Sequence, residues 1–298
     1  MFSLYYISSN VGTPQEPSYK VAIEKGDYKT ALKELRPLAE KGDTNGQCYL
    51  ARMYAEGLGV PQNYQEAIKW WNCAARQGDL AAQYAQYNIG MSYLEGRGVP
   101  RDYKAAHCWL RKAAEQGLGP AQYNLGVSFE KGIGVEQDYS EAVKWYHKAA
   151  GQGHASAQNN LGLLYDKGLG VRQDNEEAVN WYRKAAAQGK AIAQFNLGKS
   201  YDEGSGVQRN YQEAVRLYHM AALKGVTNAQ LVLGLKYFMG EGVARDYVQG
   251  YKWLYIAAQK GDERAQKGIK NNSVLMSQSQ INEAIRLAKE EMIKLRNS

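Results

Sequence analysis

The sequence predicts an all-α fold, a right-handed α-solenoid superhelix of stacked helix-turn-helix repeats. A fixed period is the first observation, since a unit that recurs every few tens of residues is one supersecondary element stacked on its neighbours. The composition is the second, because 31 glycines and only six prolines suit many short helices that end at glycine. A Gly-x-Gly-Val tetrad marks the period, with spacings of 36 residues and one of 39, and it begins at Gly57, Gly96, Gly132, Gly168, Gly204 and Gly240.

Each copy begins with a helix that ends at the tetrad. In the copy from 153 to 188, Ala157, Leu161 and Tyr165 are spaced by four residues and so share one helix face. Gly168 follows directly, and glycine accepts the left-handed backbone that closes a helix. The sequence therefore predicts that the first helix of each copy ends at the first glycine of the tetrad.

A second helix follows the tetrad. Asp174 with Glu177 three residues later is typical of a helix start, in which the first side chain caps the helix. The same signal recurs as Asn63/Glu66, Asp138/Glu141, Asn210/Glu213 and Asp246/Gln249, while Asp102 lacks the acidic partner. Alanines and a Trp-Tyr pair at helical spacing predict the inner face of this helix, and the tryptophans are interpreted as core.

Two local features modify the repeat. A Leu-Gly pair lies inside the first helix of four copies, at 125–126, 161–162, 197–198 and 233–234. Glycine there costs about 1 kcal/mol of helix propensity, so its recurrence indicates a close contact between helices. The spacing of 39 comes from a duplicated Ala-Gln-Tyr over 82–87. This duplication predicts that the first helix of the second copy is longer by nearly one turn.

The ends of the chain differ from the repeats. We predict a flexible N-terminal segment over 1–16, a helical half-repeat over 17–41, six repeats over 42–260, and a degenerate seventh repeat with a capping helix over 261–298. Ser277 and Gln280 form a capping box that opens the last helix, which is expected to reach about Leu295. Its apolar residues should cover the exposed end of the stack.

The pattern A-Q-x-x-L-G-x-x-Y-x-x-G-x-G-V-x-x-D-Y-x-x-A-x-x-W-Y-x-x-A-A-x-x-G resembles the Sel-one-like repeat, a relative of the tetratricopeptide repeat, over about residues 42–260. The resemblance implies a scaffold for protein–protein contact. Secreted cysteine-rich relatives carry a cysteine pair in each repeat. This chain has only Cys48, Cys73 and Cys108, so we expect buried or free thiols rather than disulfide bonds.

By analogy with tetratricopeptide geometry, five positions in each first helix should face a concave groove. Their charged members lean acidic, so the groove is not basic, and two apolar clusters lie near its ends. Those clusters either bind a partner or are buried by the curvature of the superhelix. The predicted groove residues are Tyr87, Met91, Leu94, Tyr123, Val127, Lys131, Asn159, Leu163, Asp166, Lys167, Phe195, Asp202, Leu231, Leu235, Phe238 and Met239.

We predict a non-enzymatic scaffold or adaptor that binds a protein or peptide partner in this groove. One alternative is a β-lactamase-like hydrolase, because Ser128 and Lys131 match Ser-x-x-Lys, although neither Ser-Asp-Asn nor Lys-Thr-Gly occurs. A second alternative is an anion or nucleic-acid binder that uses a basic convex face, since the net charge is +7.

Other classes of site have little support in the sequence. The four histidines share no metal-ligand spacing, so we expect no metal site. We also expect no cofactor, and we expect the chain to be a monomer. No apolar run is long enough to span a membrane. The stretch from Met1 to Ser9 lacks a basic segment and a cleavage site, which favours a cytoplasmic location; a start codon further upstream would leave a periplasmic or secreted location open.

Overall fold

The structure, a computed structural model, describes residues 16–297, so the predicted flexible segment over 1–16 lies outside the described residues except for Glu16. The described residues form only helices: a 3-10 turn over Ser273–Leu275 and sixteen α-helices. These are α1 (Ser18–Glu24), α2 (Tyr28–Glu40), α3 (Thr44–Glu56), α4 (Tyr64–Ala74), α5 (Leu80–Glu95), α6 (Tyr103–Glu115), α7 (Gly119–Lys131), α8 (Tyr139–Gly151), α9 (Ala155–Lys167), α10 (Asn175–Ala187), α11 (Ala191–Glu203), α12 (Tyr211–Ala222), α13 (Thr227–Met239), α14 (Tyr247–Gln259), α15 (Glu263–Asn272) and α16 (Gln278–Asn297).

The fold is the predicted all-α solenoid of helix-turn-helix repeats. The odd-numbered helices α3 to α13 are the first helices of the six copies, and the even-numbered helices α4 to α14 are the second helices. The chain divides into two compact units. Unit 1 comprises Met1–Ala121 with Ile133–Val135, and unit 2 comprises Gln122–Gly132 with Glu136–Ser298. Within each unit, most helices that follow one another in the chain pack together.

The helix starts and stops follow the signals in the sequence. The Asp174 carboxylate accepts a hydrogen bond from the backbone N–H of Glu177 at 2.9 Å. The equivalent cap forms at the start of all five remaining second helices, including the one that begins after Asp102. Gly168 closes α9 at φ +65°, in the left-handed region. These local bonds satisfy backbone groups that a helix end leaves unpaired, so each copy carries its own stop and start.

The glycine of the Leu-Gly pair provides the close contact that its recurrence predicts. A Cβ placed on Gly162 would lie 2.8 Å from the ring of Tyr182 in the second helix of the same copy. The same relation joins Gly126 to Tyr146 and Gly198 to Tyr218. The three tyrosines are at most 2% exposed. The missing side chain thus makes room for an aromatic ring that carries its hydroxyl toward the first helices.

The buried glutamines form a second recurring contact, which sequence reasoning missed. In unit 2, the side chain of Gln158 donates to the carbonyl of Ala150 at 3.1 Å and accepts from Gln188 at 2.8 Å. In unit 1, Gln86 makes the same pair of bonds with Ala75 and Gln116. Each buried amide therefore joins a first helix to the preceding second helix and to the end of its own copy.

The first helix of the second copy is longer, as the duplication predicts. Helix α5 has 16 residues, whereas the other first helices have 13, and 82–87 lie within it. The tetrad that follows keeps its left-handed glycine, Gly96 at φ +73°.

The last helices cover the end of unit 2. Ser277 and Gln280 form the capping box, and α16 packs along α14. Ala284 and Ala288 of α16 are fully buried, and Ile281, Ile285, Met292 and Leu295 pack around them in two apolar clusters. These contacts cover the last second helix, including Trp253 at 0% exposed.

Candidate functional site

The faces of the first helices hold the residues that the sequence assigns to a groove. In unit 1, Tyr87, Met91 and Leu94 are half-buried on α5. In unit 2, Tyr123, Val127, Leu163, Asp166, Phe195, Asp202 and Leu235 are half-buried, and Lys131, Lys167 and Met239 are exposed. Whether any of them binds a partner stays a prediction.

The structure corrects the expected accessibility of three of these residues. Leu231 and Phe238 are each 6% exposed and lie in an apolar cluster with Leu254 and Ala284, because the terminal helices pack over the sixth copy. Asn159 is also 6% exposed, and its side-chain oxygen accepts a hydrogen bond from Asn196 at 3.0 Å. These three side chains therefore belong to the packed interior, and the apolar cluster predicted in the sixth copy is reduced to Leu235 and Met239.

A carboxylate of the first helix accepts a hydrogen bond from a tyrosine hydroxyl of the second helix in the third and fifth copies, which lie in unit 2. The Tyr146 hydroxyl donates a short hydrogen bond to Glu130 and accepts one from the Asn160 amide at 3.1 Å. The Tyr218 hydroxyl donates to Asp202 at 3.3 Å. Burial, and then the nearby carboxylate of Glu130, raise the pKa of Tyr146, so its hydroxyl remains protonated and acts as a donor.

In the fourth copy the same two positions are held by Asp166 and Tyr182. Burial raises the pKa of Tyr182, and the negative charge of Asp166 raises it further, which indicates that the two groups are close. Asp166 is half-buried.

The carboxylate of Asp202 in the fifth copy is in addition paired with a lysine of the sixth copy, Lys236. We call this arrangement the Lys236 site. The Lys236 ammonium lies 2.5 Å from Asp202 and 2.8 Å from Glu241, and 4.9 Å from the ring centre of Tyr211. Its side chain is 8% exposed. Burial lowers the pKa of Lys236, but the hydrogen bonds with Asp202 and Glu241 outweigh burial and hold the pKa above its usual value.

In unit 1, the equivalent place between the first and second copies is a cavity of about 350 Å³, called here the Ser92 cavity. Counted from the tetrads, Ser92 corresponds to Lys236 and Ala55 to Asp202, so neither the lysine nor its carboxylate is present. Two ion pairs border the space, Arg52 with Glu56 at 3.3 Å and Arg97 with Glu95 at 2.8 Å. The cavity is lined by Arg52, Ala55, Glu56, Gln62, Tyr64, Trp71, Asn88, Ser92 and Arg97.

The basic residues concentrate on the second helices. Lys148 lies 3.9 Å from the ring centre of Trp145, and Lys184 lies 3.8 Å from that of Trp181. Both lysines are exposed, whereas both tryptophans are about nine-tenths buried. The tryptophans are therefore core residues, as predicted, and their outer faces support exposed cations.

The Ser-x-x-Lys match does not have the geometry of a nucleophile with a base. Ser128 is 4% exposed, and its hydroxyl donates to the carbonyl of Asn124 in its own helix at 3.1 Å. Lys131 is exposed at the end of that helix. A nucleophilic serine needs a positioned base and access to substrate, and Ser128 lacks the access.

Between residues 16 and 297, no three side chains of His, Cys, Asp or Glu are grouped so that they could hold a metal ion. Within that range, no helix combines the length and the apolar character needed to cross a membrane. His154 instead caps α9 through Nδ1 and stacks on Tyr123, with ring centres 4.5 Å apart.

A family model for the Sel1 repeat matches the chain six times, at residues 44–79, 83–118, 119–154, 155–190, 191–226 and 227–262. The chain belongs to the Sel1 repeat family. The matches cover most of the chain and coincide with the six helix pairs from α3 to α14. Proteins of this family generally act as scaffolds for protein–protein interaction, so a Sel1 repeat chain is expected to have protein partners.

Two solved Sel1 repeat structures are similar to it. A Sel1 repeat protein from Oxalobacter formigenes is 32% identical with a TM-score of 0.72, and the match covers 80% of this chain and 95% of that one. The protein c5321, described as a protective antigen of uropathogenic Escherichia coli strains, is 29% identical with a TM-score of 0.61, and the match covers 93% of this chain and 71% of that one. No curated protein sequence gives a match.

Proposed function

We propose that this Sel1 repeat protein is a non-enzymatic scaffold that binds a protein or peptide partner on the face formed by its first helices. The Ser92 cavity is the observation that carries the proposal. The fifth and sixth copies show that the corresponding place accepts a long side chain, because Lys236 fills it. In unit 1 no side chain of the described chain fills that space, and it stays open at about 350 Å³.

The size and lining of the cavity suit one large side chain of a partner. A water molecule takes up about 30 Å³, so the space holds a group of many atoms rather than a single solvent molecule. Trp71 and Tyr64 offer aromatic surface, and Asn88 offers an amide. Arg52 and Arg97 are each already paired with a carboxylate, so the cavity favours an uncharged or aromatic side chain over a bare ion.

The half-buried apolar residues of α5 extend this surface. Tyr87, Met91 and Leu94 lie on the same helix as Asn88 and Ser92, so a peptide that inserts a side chain into the cavity would also lie against them. A central pocket with apolar surroundings is the usual arrangement of a binding hot spot.

Filling the cavity tests the proposal. A random linear peptide library is panned against the immobilised protein, and selected peptides are measured by fluorescence anisotropy. Ser92→Met should remove binding, since an unbranched side chain at this position follows the course of Lys236 in the sixth copy. Met91→Glu with Leu94→Glu should also remove it.

The matched control places the same charges on exposed apolar residues elsewhere. Leu223→Glu with Ile293→Glu changes side chains that are 39% and 60% exposed, and neither lies on a first helix. This control should bind as the wild type does. Selected peptides that bind Ser92→Met as tightly as the wild type would contradict the proposal, provided that the variant melts at the same temperature.

A further inference from the structure

The Lys236 site recurs in the preceding copy without its lysine. Asp166, Tyr182 and Ser200 lie 36 residues before Asp202, Tyr218 and Lys236, so the carboxylate and the phenol are kept while the lysine is replaced by serine. We call Asp166, Asn175, Tyr182 and Ser200 the Asp166 site. The short serine side chain turns back, and its hydroxyl donates to the carbonyl of Asn196 at 3.2 Å.

The Asp166 carboxylate has no cation of its own. Among residues 16–297, no lysine, arginine or histidine forms an ion pair with it, whereas its counterpart Asp202 is paired with Lys236 at 2.5 Å. Asn175 takes the place of Tyr211, and its side-chain oxygen is buried without a hydrogen-bond partner. The Asp166 carboxylate is therefore an acceptor suited to an N–H donor from outside the chain.

We propose that the Asp166 site binds the ammonium group of a lysine side chain that belongs to a protein partner, held as Lys236 is held at Asp202. The proposal rests on the proposed function, because the lysine would arrive on a segment lying along the first helices. It adds the chemistry of that segment, a lysine placed to reach the fourth and fifth copies.

Charge decides between kinds of partner. A carboxylate repels phosphate, so a nucleic acid or an anionic lipid headgroup does not fit the Asp166 site. Lysine also suits the site because it carries a compact ammonium on a flexible stem, the group that pairs with the equivalent carboxylate of Asp202 in Lys236. The nearby Lys199 is exposed and lies 3.7 Å from Glu203, so it is directed to a different acid.

The test uses peptides selected from the random library against the full-length wild type. Lysine should be enriched at one position of peptides that bind unit 2. Acetylation of that lysine in a selected peptide should weaken binding at least about fivefold, the loss expected of a half-buried ion pair. The same acetylation should have no effect on binding to Asp166→Asn, because the carboxylate charge is already gone.

A second variant tests the structural equivalence directly. Ser200→Lys places a lysine where the sixth copy has one, and its ammonium should occupy Asp166 and exclude the peptide lysine. This variant should therefore lose the effect of acetylation while keeping its fold, as judged by its circular dichroism melting curve. Ser200→Met has a side chain of similar length without the charge and serves as the matched control for bulk.

The outcomes separate this proposal from the proposed function. If peptides bind and Ser92→Met removes binding, but acetylation weakens wild type and Asp166→Asn equally, the lysine site is wrong and the scaffold proposal stands. If no selected peptide depends on the first helices, both proposals fail. A loss of the acetylation effect in Asp166→Asn and Ser200→Lys, with the effect kept in Ser200→Met, is the expected result.

Discussion

The ring of Tyr182 occupies the space that a side chain at Gly162 would need, since a Cβ there would lie 2.8 Å from two ring carbons. The contact joins the first and second helices of one copy, and it recurs in the copies on either side. It explains why a helix tolerates glycine at its centre. It also brings the tyrosine hydroxyl to the acidic positions on the first-helix face.

Gly162→Ala should destabilise the protein. Alanine improves helix propensity by about 1 kcal/mol, but overpacking in a filled core costs about 1–3 kcal/mol, and here both Tyr182 and the carbonyl of Ala178 stand in the way. Urea denaturation followed by circular dichroism measures the change. Gly151→Ala, at the end of α8 with nothing within 4 Å, is the control and should be neutral or slightly stabilising.

The two glycines of a tetrad should differ in their tolerance of a side chain. Gly168→Ala should cost about 1 kcal/mol or more, because φ is +65°. Gly170→Ala should cost more, since φ is +69° and the new Cβ would collide with the backbone carbonyl of Tyr139 in the preceding copy. Gly153→Ala, at φ +87° with open space around it, isolates the cost of the backbone conformation. Equal melting temperatures for the variants at 168, 170 and 153 would contradict this order.

Lys236→Met should destabilise the protein by about 3 kcal/mol, because it leaves Asp202 without its ammonium in a largely buried place. Lys199→Met removes a lysine from an exposed pair with Glu203, and it should change stability by no more than about 1 kcal/mol. Chemical denaturation of both variants gives the comparison. A small effect at 236 would mean that the carboxylate is solvated well enough without the lysine.

Removal of residues 277–298 should cause aggregation or a loss of cooperative unfolding. The deletion uncovers Trp253, Leu254 and Ile256, which are fully buried. Size-exclusion chromatography with light scattering and differential scanning calorimetry detect the two effects. A monomeric truncation with an unchanged, single unfolding transition would show that α16 is not a cap.

Two of the three cysteines should react with Ellman's reagent in the native protein at pH 8. Cys73 and Cys108 are exposed and free. Burial, with smaller effects from nearby carboxylates, raises the pKa of Cys48 to about 12, so the reactive thiolate is almost absent until the pH approaches that value. Denatured protein should show three reactive thiols, and a third rapid thiol in the native state would contradict the prediction.

Much of the fold follows from local sequence signals. The capping pairs, the left-handed Gly168 and the extended α5 depend on residues within a few positions of each other, and the structure has each of them where predicted. The glutamine bonds could not be predicted, because the partner of Gln158 lies 30 residues away at Gln188.

The candidate site was less predictable for a similar reason. The sequence of the sixth copy alone predicts that Leu231 and Phe238 are exposed, but packing of the terminal helices buries both side chains. The link between Lys236 and Asp202 spans two copies, so only comparison of aligned positions across copies, with charge considered at each, could have found it.

The duplicated tripeptide in α5 shows where this architecture absorbs change. Three added residues lengthened the helix at its N-terminal end, while Gly96, the tetrad and the α6 cap kept their places. The alignment of one copy on the next is thus anchored at the tetrad. In α5, added length, and with it added helix surface, lies at the opposite end without displacing the tetrad or the cap that follows.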